Sequence, residues 1–282
     1  WRGCVRLTGE CDDWATIYKC GVAAVDKHSL GVLNDVKLKG FHEEPKKPTL
    51  KDNAIDGQRP DVLVIGGGIA GCSVLRELSR LDLDVLLVEK ANDVATGASG
   101  RNDGCIHPGI DLHKGQLKLK YVLKGNEQYR QLVKDLGLEL KPSGQTFIFS
   151  THWENAIVSP LFWLKSKIIG VPGVKHLTAK QLKEMEPNPP KWAKGAMFMS
   201  SGGIISPYKT TIALCDNAIQ NGARVSLNTI VEGMDVKDGK IVAVHTNRGT
   251  VYPKAVVNCA GINSDVIADM AGDRTFTIHP RK

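Results

Sequence analysis

Apolar positions recur along this chain in three different rhythms. Near the start, Val5 and Leu7 alternate with polar neighbours and the run ends at Gly9, the pattern of a half-buried strand. Trp14, Ile17, Gly21, Ala24 and Val25 then follow a helical period behind Asp13, a residue type that accepts the free amides of a first helical turn. Gly31 introduces a second strand carrying Val32, Leu33, Val36 and Leu38. A small strand–helix–strand module over residues 1–45 is expected. Residues 41–60, FHEEPKKPTLKDNAIDGQRP, hold three prolines, many charges and no apolar period, so residues 46–60 are expected to act as a linker.

From Asp61 the rhythm changes. DVLVI is a continuous apolar run, as in a parallel strand buried on both faces. GGGIAG follows, then CSVLRELSRL on a helical period, then DVLLVEK, a second buried strand. Residues 115–140 read mainly as helix. Residues 145–200 look mixed, with helices at SPLFWLKSKI and TAKQLKEME, the second opened by a capping box of Thr178 and Gln181. From Ser206 the pattern predicts a helix (KTTIALCDNAIQNG), a strand (ARVSLNT) and a hairpin that turns at Asp238-Gly239. The fold class is α/β: a Rossmann-like domain on a parallel sheet, a mixed α+β part, and the small α/β module in front.

The strongest chemical signal is Gly66-Gly67-Gly68-Ile69-Ala70-Gly71. A glycine string alone is weak, but here it follows a buried strand, opens a helix, and precedes an acid at the end of the next strand. Gly66 permits the tight turn, Gly68 lets backbone approach a pyrophosphate, and Gly71 lets helix and strand pack closely. Ile69 and Ala70 add their amides at the positive end of the helix dipole. Glu89, with Lys90 beside it, lies eighteen positions after Gly71, where a carboxylate accepts ribose hydroxyls and disfavours a 2′-phosphate.

A nicotinamide-binding domain would run on into another helix and strand. This chain instead enters a polar, glycine-rich loop, TGASGRNDGCIHPG, from Thr96 to Gly109. With that loop the chain resembles flavoproteins of the D-amino-acid oxidase superfamily, and within it glycerol-3-phosphate dehydrogenases of the anaerobic type and 2-hydroxyglutarate oxidases. The resemblance implies FAD as cofactor. It implies that Ser99, Arg101 and Asn102 contact the pyrophosphate or flavin side, that His107 falls near the isoalloxazine, and that Val231, in TIV, meets the adenine through its backbone. It also implies that Ala260 and Gly261, in VVNCAG, approach the cofactor. IHPRK at the end matches the start of a strand beside the flavin, and the family's last glycine-rich segment is absent, so a fragment of a longer protein is expected. Residues 1–40, with VRLTGECDDW and GVLNDVKLKG, resemble the BON domain, a module associated with phospholipid or protein binding.

Composition adds limits. No run of eighteen apolar residues occurs, so no transmembrane helix is expected. No secretory signal is visible, and a chain opening with Trp is expected to have been trimmed. Seven cysteines without CxxC spacing suit reduced thiols in a cytoplasmic-type protein and predict no metal site. The formal charge of +7 suits an anionic cofactor, an anionic substrate or an anionic membrane face. Lys114, Lys118, Lys120 and Lys124 are expected to line one solvated side of a helix. No pattern of a nucleic-acid-binding module accompanies them.

The resemblance implies oxidation of a small anionic secondary alcohol, sn-glycerol 3-phosphate or a 2-hydroxy acid, by hydride transfer to FAD. His107 is the candidate base for the hydroxyl proton, and Arg281 the candidate cation for the substrate anion. An oxidase of amino acids or secondary amines is the alternative within the superfamily. A different class remains open as well: an FAD-binding electron-transfer subunit, cytoplasmic and peripheral to the inner face of a membrane. Its module would dock on that membrane or on a partner, and its electrons would pass to an acceptor subunit or quinone.

Overall fold

The computed structural model describes residues 3–25, 28–41 and 47–279. The chain divides into two compact units, Trp1–Arg101 with Thr211–Lys282, and Asn102–Thr210. The first stretch folds into β1 (Cys4–Cys11), α1 (Trp14–Ala23) and β2 (Gly31–Leu38), with the two strands parallel from Cys4 opposite Gly31 to Cys11 opposite Leu38. Asp13 accepts the Thr16 amide at 2.9 Å and closes the start of α1. Strand β1 runs two residues past the expected end at Gly9, because β2 pairs with it as far as Cys11. Ile17, Leu33 and Cys4 form the buried centre. The edge of β2 also meets the far end of the chain, where the Asn34 amide donates to Thr277 Oγ1 at 2.9 Å and Arg274 donates to Asp35 at 2.7 Å.

Residues 47–60 lack regular structure, yet they do more than connect. Ile55 is buried among Leu63, Val231, Val244 and Val251. Its amide donates to Arg248 O (3.2 Å), the Gly57 amide to Thr250 O (2.9 Å), and Asn247 Nδ2 to Leu50 O (2.7 Å). The Asp52 carboxylate receives Nε and Nη2 of Arg248, both at 2.9 Å. The Arg248 bonds and the Ala54 amide hold this carboxyl below its ordinary 3.8. A depressed carboxylate stabilises the folded state above its unfolded pKa and loses that contribution as pH falls through the lower folded value. The protection factor of the Ile55 amide, its intrinsic exchange rate divided by the observed rate at each pH, is therefore expected to fall as the medium is acidified below about pH 4, and Asp52→Asn should flatten that dependence. A protection factor indifferent to acid in the parent protein would exclude the clamp.

Next come β3 (Val62–Ile65), α2 (Ile69–Leu78) and β4 (Val85–Val88). The second unit holds β5 (Cys105–Ile106), α3 (Leu117–Asp135), β6 (Leu140–Lys141), β7 (Gln145–Phe149) and α4 (Ser159–Ile169). It continues with β8 (Val174–Thr178), α5 (Ala179–Met185), β9 (Gly195–Met199) and β10 (Gly203–Ile205). Its strands form two antiparallel sheets, β5-β10-β6 and β7-β9-β8, which the sequence pattern did not predict. The expected capping box is present: Thr178 Oγ1 accepts the Gln181 amide, and the Gln181 side chain accepts the Thr178 amide. The lysine row is not one face. Lys114 precedes α3, and Lys118 and Lys120 stand about 200° apart around it.

The chain then closes the first unit with α6 (Pro207–Gln220), which begins in the second, and with β11 (Arg224–Ser226), β12 (Val231–Lys237), β13 (Lys240–Thr246), β14 (Gly249–Val251), β15 (Ala255–Asn258) and α7 (Ser264–Met270). Strands β11-β4-β3-β15 form one parallel sheet. Alternate residues of its central strands serve two cores. Leu63, Ile65, Leu86 and Val88 pack on the antiparallel sheet β12-β13-β14, while Val64, Val85 and Leu87 face the helical side. The expected hairpin is therefore β12-β13, turning at Asp238 (φ 51°) and Gly239 (φ 73°), and its predicted continuation leaves it as β15 to pair with β3.

Candidate functional site

The parallel sheet presents the carboxyl ends of β3, β4 and β15 side by side. Gly66 leaves β3 with φ +108°, which only glycine adopts without strain. A Cβ there would strike the Cys259 carbonyl oxygen, so the glycine turn and the loop after β15 are in backbone contact. Gly71 is equally confined, since its Cβ would strike the Gly66 carbonyl oxygen. Gly68 differs. Its backbone is extended (φ −81°, ψ −178°), and among the described residues the atom nearest an added Cβ is Ser99 Oγ at 3.1 Å. The confined glycines make the turn possible, and the open one leaves backbone accessible.

The amides of the turn are engaged by side chains distant in sequence. Gly67 N–H donates to Glu89 Oε2 at 2.6 Å, and Ala91 N–H donates to Oε1 at 2.8 Å. Ile69 N–H, the first of α2, donates to Ser99 Oγ at 2.8 Å. Glu89 is fixed by its own backbone as well, with its N–H on Ser226 O (3.0 Å) and its carbonyl under the Thr229 amide (2.8 Å). Thr229 is buried, and its hydroxyl bonds Ser226 Oγ and Leu227 O. Asn247 holds the next residue, accepting the Ile230 amide at 2.8 Å. Sequence reasoning missed Gly67, Ala91, Thr229 and Asn247 as supports, and no local motif marks them.

Beneath the turn, Cys72 is fully buried in α2 and donates to Gly67 O at 3.5 Å. The neighbouring Cys215 sulfur and burial push its thiol well above the ordinary range, so it stays protonated at neutral pH. Lys90 is exposed at the end of β4, and Arg101 is exposed after the turn Ala98–Gly100. Val231 is buried at the start of β12. The Ala260 amide donates to Asn258 Oδ1 (3.2 Å), and Gly261 follows at φ +58°.

The remaining candidates belong to the second unit or lie outside the described residues. Asn102 Oδ1 accepts the Gly104 amide at 2.9 Å and shapes the turn into β5. His107 is exposed just after β5, its carbonyl held by Asn126 Nδ2 at 3.0 Å, while the same amide group donates to Ser201 O at 2.9 Å. Arg281 lies outside the described residues. His245 bonds Thr250 Oγ1 (3.2 Å) and Asp235 (3.1 Å).

A two-phosphate cofactor fits this arrangement. A ten-residue helix points its amino end at the turn, Gly68 leaves the approach clear, and a carboxylate stands on the neighbouring strand. Comparison with known proteins agrees. The model of the FAD dependent oxidoreductase family, DAO, matches residues 61–282. A glycerol 3-phosphate dehydrogenase from Caloramator mitchellensis is 37% identical over 222 residues, covering 79% of this chain and 46% of that protein. An L-2-hydroxyglutarate dehydrogenase from Escherichia coli is 29% identical, covering 75% of this chain and 50% of that one. The solved structure of the FAD-bound L-alpha-glycerophosphate oxidase from Mycoplasma pneumoniae superimposes with a TM-score of 0.70 at 25% identity, over 76% of this chain and 57% of that chain. The chain thus spans about half the length of the curated relatives it matches. A strand–glycine turn–helix with its carboxylate in place, inside a stretch that the family model matches from Asp61 to the last residue, makes this chain a member of the FAD-dependent oxidoreductase family, with FAD as its cofactor.

Proposed function

We propose that the chain is the FAD-binding part of a dehydrogenase that oxidises a small anionic secondary alcohol, sn-glycerol 3-phosphate or a 2-hydroxy acid. The observation that carries this reading is the similarity of 75–79% of this chain to two dehydrogenases whose named substrates each carry a hydroxyl-bearing carbon and an anionic group. The formal charge of +7 suits such substrates.

Bound FAD supplies the two-electron acceptor for the hydride leaving the carbinol carbon. The protein's tasks are holding, orienting and proton removal. In this proposal the turn of Gly66, Gly68, Ile69, Ala70 and Gly71, with Ser99 and Arg101, holds the pyrophosphate. Glu89, next to Lys90, holds the adenosine ribose, and Val231 meets the adenine. Ala260 and Gly261 flank the cofactor from the loop after β15, and Asn102 shapes the loop on the flavin side. His107 takes the hydroxyl proton as the ketone forms, and Arg281 pairs with the substrate anion. Electrons leave to a partner subunit or a quinone on the cytoplasmic side, with the module of residues 1–45 as the docking element for that acceptor.

Anaerobic titration of the flavin-loaded protein tests the chemistry. Glycerol 3-phosphate or L-2-hydroxyglutarate is expected to bleach the visible flavin band, and His107→Ala to slow the bleaching by roughly 10²- to 10⁴-fold, the usual worth of a general base. Bleaching by an amino acid or secondary amine, with the alcohols inert, would overturn the assignment.

A further inference from the structure

One helix of the second unit is apolar on both of its long sides. A π-helical turn, Glu154–Val158, runs directly into α4. The inner side is fully engaged: Asn155 Nδ2 donates to Lys194 O at 3.1 Å, Ser159 Oγ meets Met197 Sδ at 3.3 Å, and Phe162 and Ile169 join the core around Leu119 and Met199. The outer side carries Trp153, Ile157, Leu161, Leu164 and Ile168, spaced four, four, three and four residues apart and each 50–61% exposed. That spacing keeps all five on one stripe. The helix is already seated without them, and packing of this unit does not explain them.

Charge indicates what covers the stripe. Residues 102–210 contain 15 Lys and Arg against 8 Asp and Glu, a balance of +7, whereas the rest of the chain holds 22 of each and is neutral. The whole positive excess of the chain thus sits on the unit that bears the stripe. On the helix itself Lys165 and Lys167 flank the apolar face, with Lys167 Nζ 5.3 Å from the ring centre of the exposed Trp163. The acid at its start, Glu154, is turned back onto the Ser150 and Thr151 amides. Tryptophans and lysines bordering an outward apolar stripe are the composition of a helix lying in a lipid interface. Two copies meeting through this face would bring two units of +7 together, which disfavours self-association. Among the described residues no helix is long and apolar enough to cross a membrane.

We propose that the outer face of residues 153–168 lies on an anionic lipid bilayer, with the apolar stripe at the headgroup boundary and the lysines against the headgroups. The module's α1 also exposes Trp14, Tyr18 and Val22, but it belongs to the charge-balanced unit and lacks the attraction an anionic surface needs. The surface assignment is independent of the chemistry at the flavin.

The test is sedimentation of the flavin-loaded protein with phosphatidylcholine vesicles, with and without phosphatidylglycerol. The parent protein is expected to pellet with the anionic vesicles, and raised salt to release it. Leu161→Asp with Leu164→Asp should lower the bound fraction by roughly tenfold or more, Lys165→Glu with Lys167→Glu should abolish the preference for anionic lipid, and Trp14→Asp with Tyr18→Asp in α1 should change neither. Where the paired aspartates impair folding by circular dichroism, Ile157→Ser with Leu164→Ser serves in their place. A parent protein left in the supernatant would overturn the proposal. So would binding lost through the α1 pair alone, or a lipid-free dimer in sedimentation velocity that Leu161→Asp dissociates.

Discussion

Replacing Gly71 with valine is expected to remove flavin and stability together, whereas valine at Gly68 removes flavin alone. At Gly71 the new side chain would drive into the Gly66 carbonyl oxygen, part of the turn itself, and approach Cys259 Cβ, in the loop after β15, at 3.4 Å. Backbone cannot give way there without parting β3 from α2, so a loss of about 1–3 kcal/mol of stability is expected from overpacking. At Gly68 the backbone is already in a conformation that any residue adopts, and the Ser99 hydroxyl, 3.1 Å from the added Cβ, needs to give only slightly. The fold should therefore stand, with a melting temperature close to the parent's. Affinity for FAD should fall by roughly 100-fold or more in both, about 3 kcal/mol, because valine at Gly68 fills the space that a pyrophosphate needs and valine at Gly71 displaces the amides that face it. Flavin retention by the purified proteins, read beside thermal melting, separates the two. A yellow, fully loaded Gly68→Val protein would remove the turn from the cofactor site.

Glu89→Ala is the second large effect. The carboxylate accepts two backbone amides, Gly67 at 2.6 Å and Ala91 at 2.8 Å, and stands where the adenosine ribose is proposed to lie. Alanine leaves both amides without that acceptor and removes the partner of the ribose hydroxyls. Hydrogen bonds to a charged group contribute about 1.5–3 kcal/mol each, so FAD should bind roughly 10- to 150-fold more weakly. Glu89→Gln should fall between, since its amide oxygen can serve only one of the two donors as an acceptor. Fluorescence titration of the apoprotein with FAD measures all three. Equal affinities across the series would mean that Glu89 only braces the loop.

The contrast between what could and could not be read from sequence runs along contact distance. The strand, turn, helix and strand from Val62 to Val88 were legible because burial on both faces writes a continuous apolar run, and because a strand-to-helix turn this tight needs glycine at Gly66. Asp13, Asp238-Gly239 and the Thr178–Gln181 box were legible for a similar reason: each acts on backbone within three residues of itself. Strands β7 and β9 were not. QTFIF and GAMFM carry too little alternation to declare themselves, and they become strands by pairing with each other across some fifty intervening residues. Residues 47–60 have the composition of a linker, and only the edge beside β14 and the guanidinium of Arg248 turn them into a docked strap.

The amino-acid order by itself determined the class of the fold, the turn that faces the cofactor and the identity of the acid beside it, because each of these depends on short-range sterics and periodicity. Tertiary structure alone decided how that site is braced. Ser99 reaches the first amide of α2 from thirty residues away, Cys259 closes over Gly66, and Thr229 and Asn247 steady the strand around Glu89. A hydroxyl or an amide side chain can bond almost any backbone group, so its choice of partner is set by which strands the sheet brings together. The same holds for the outward stripe on α4: its period is written in the chain, but which side meets the core was decided only when the helix packed.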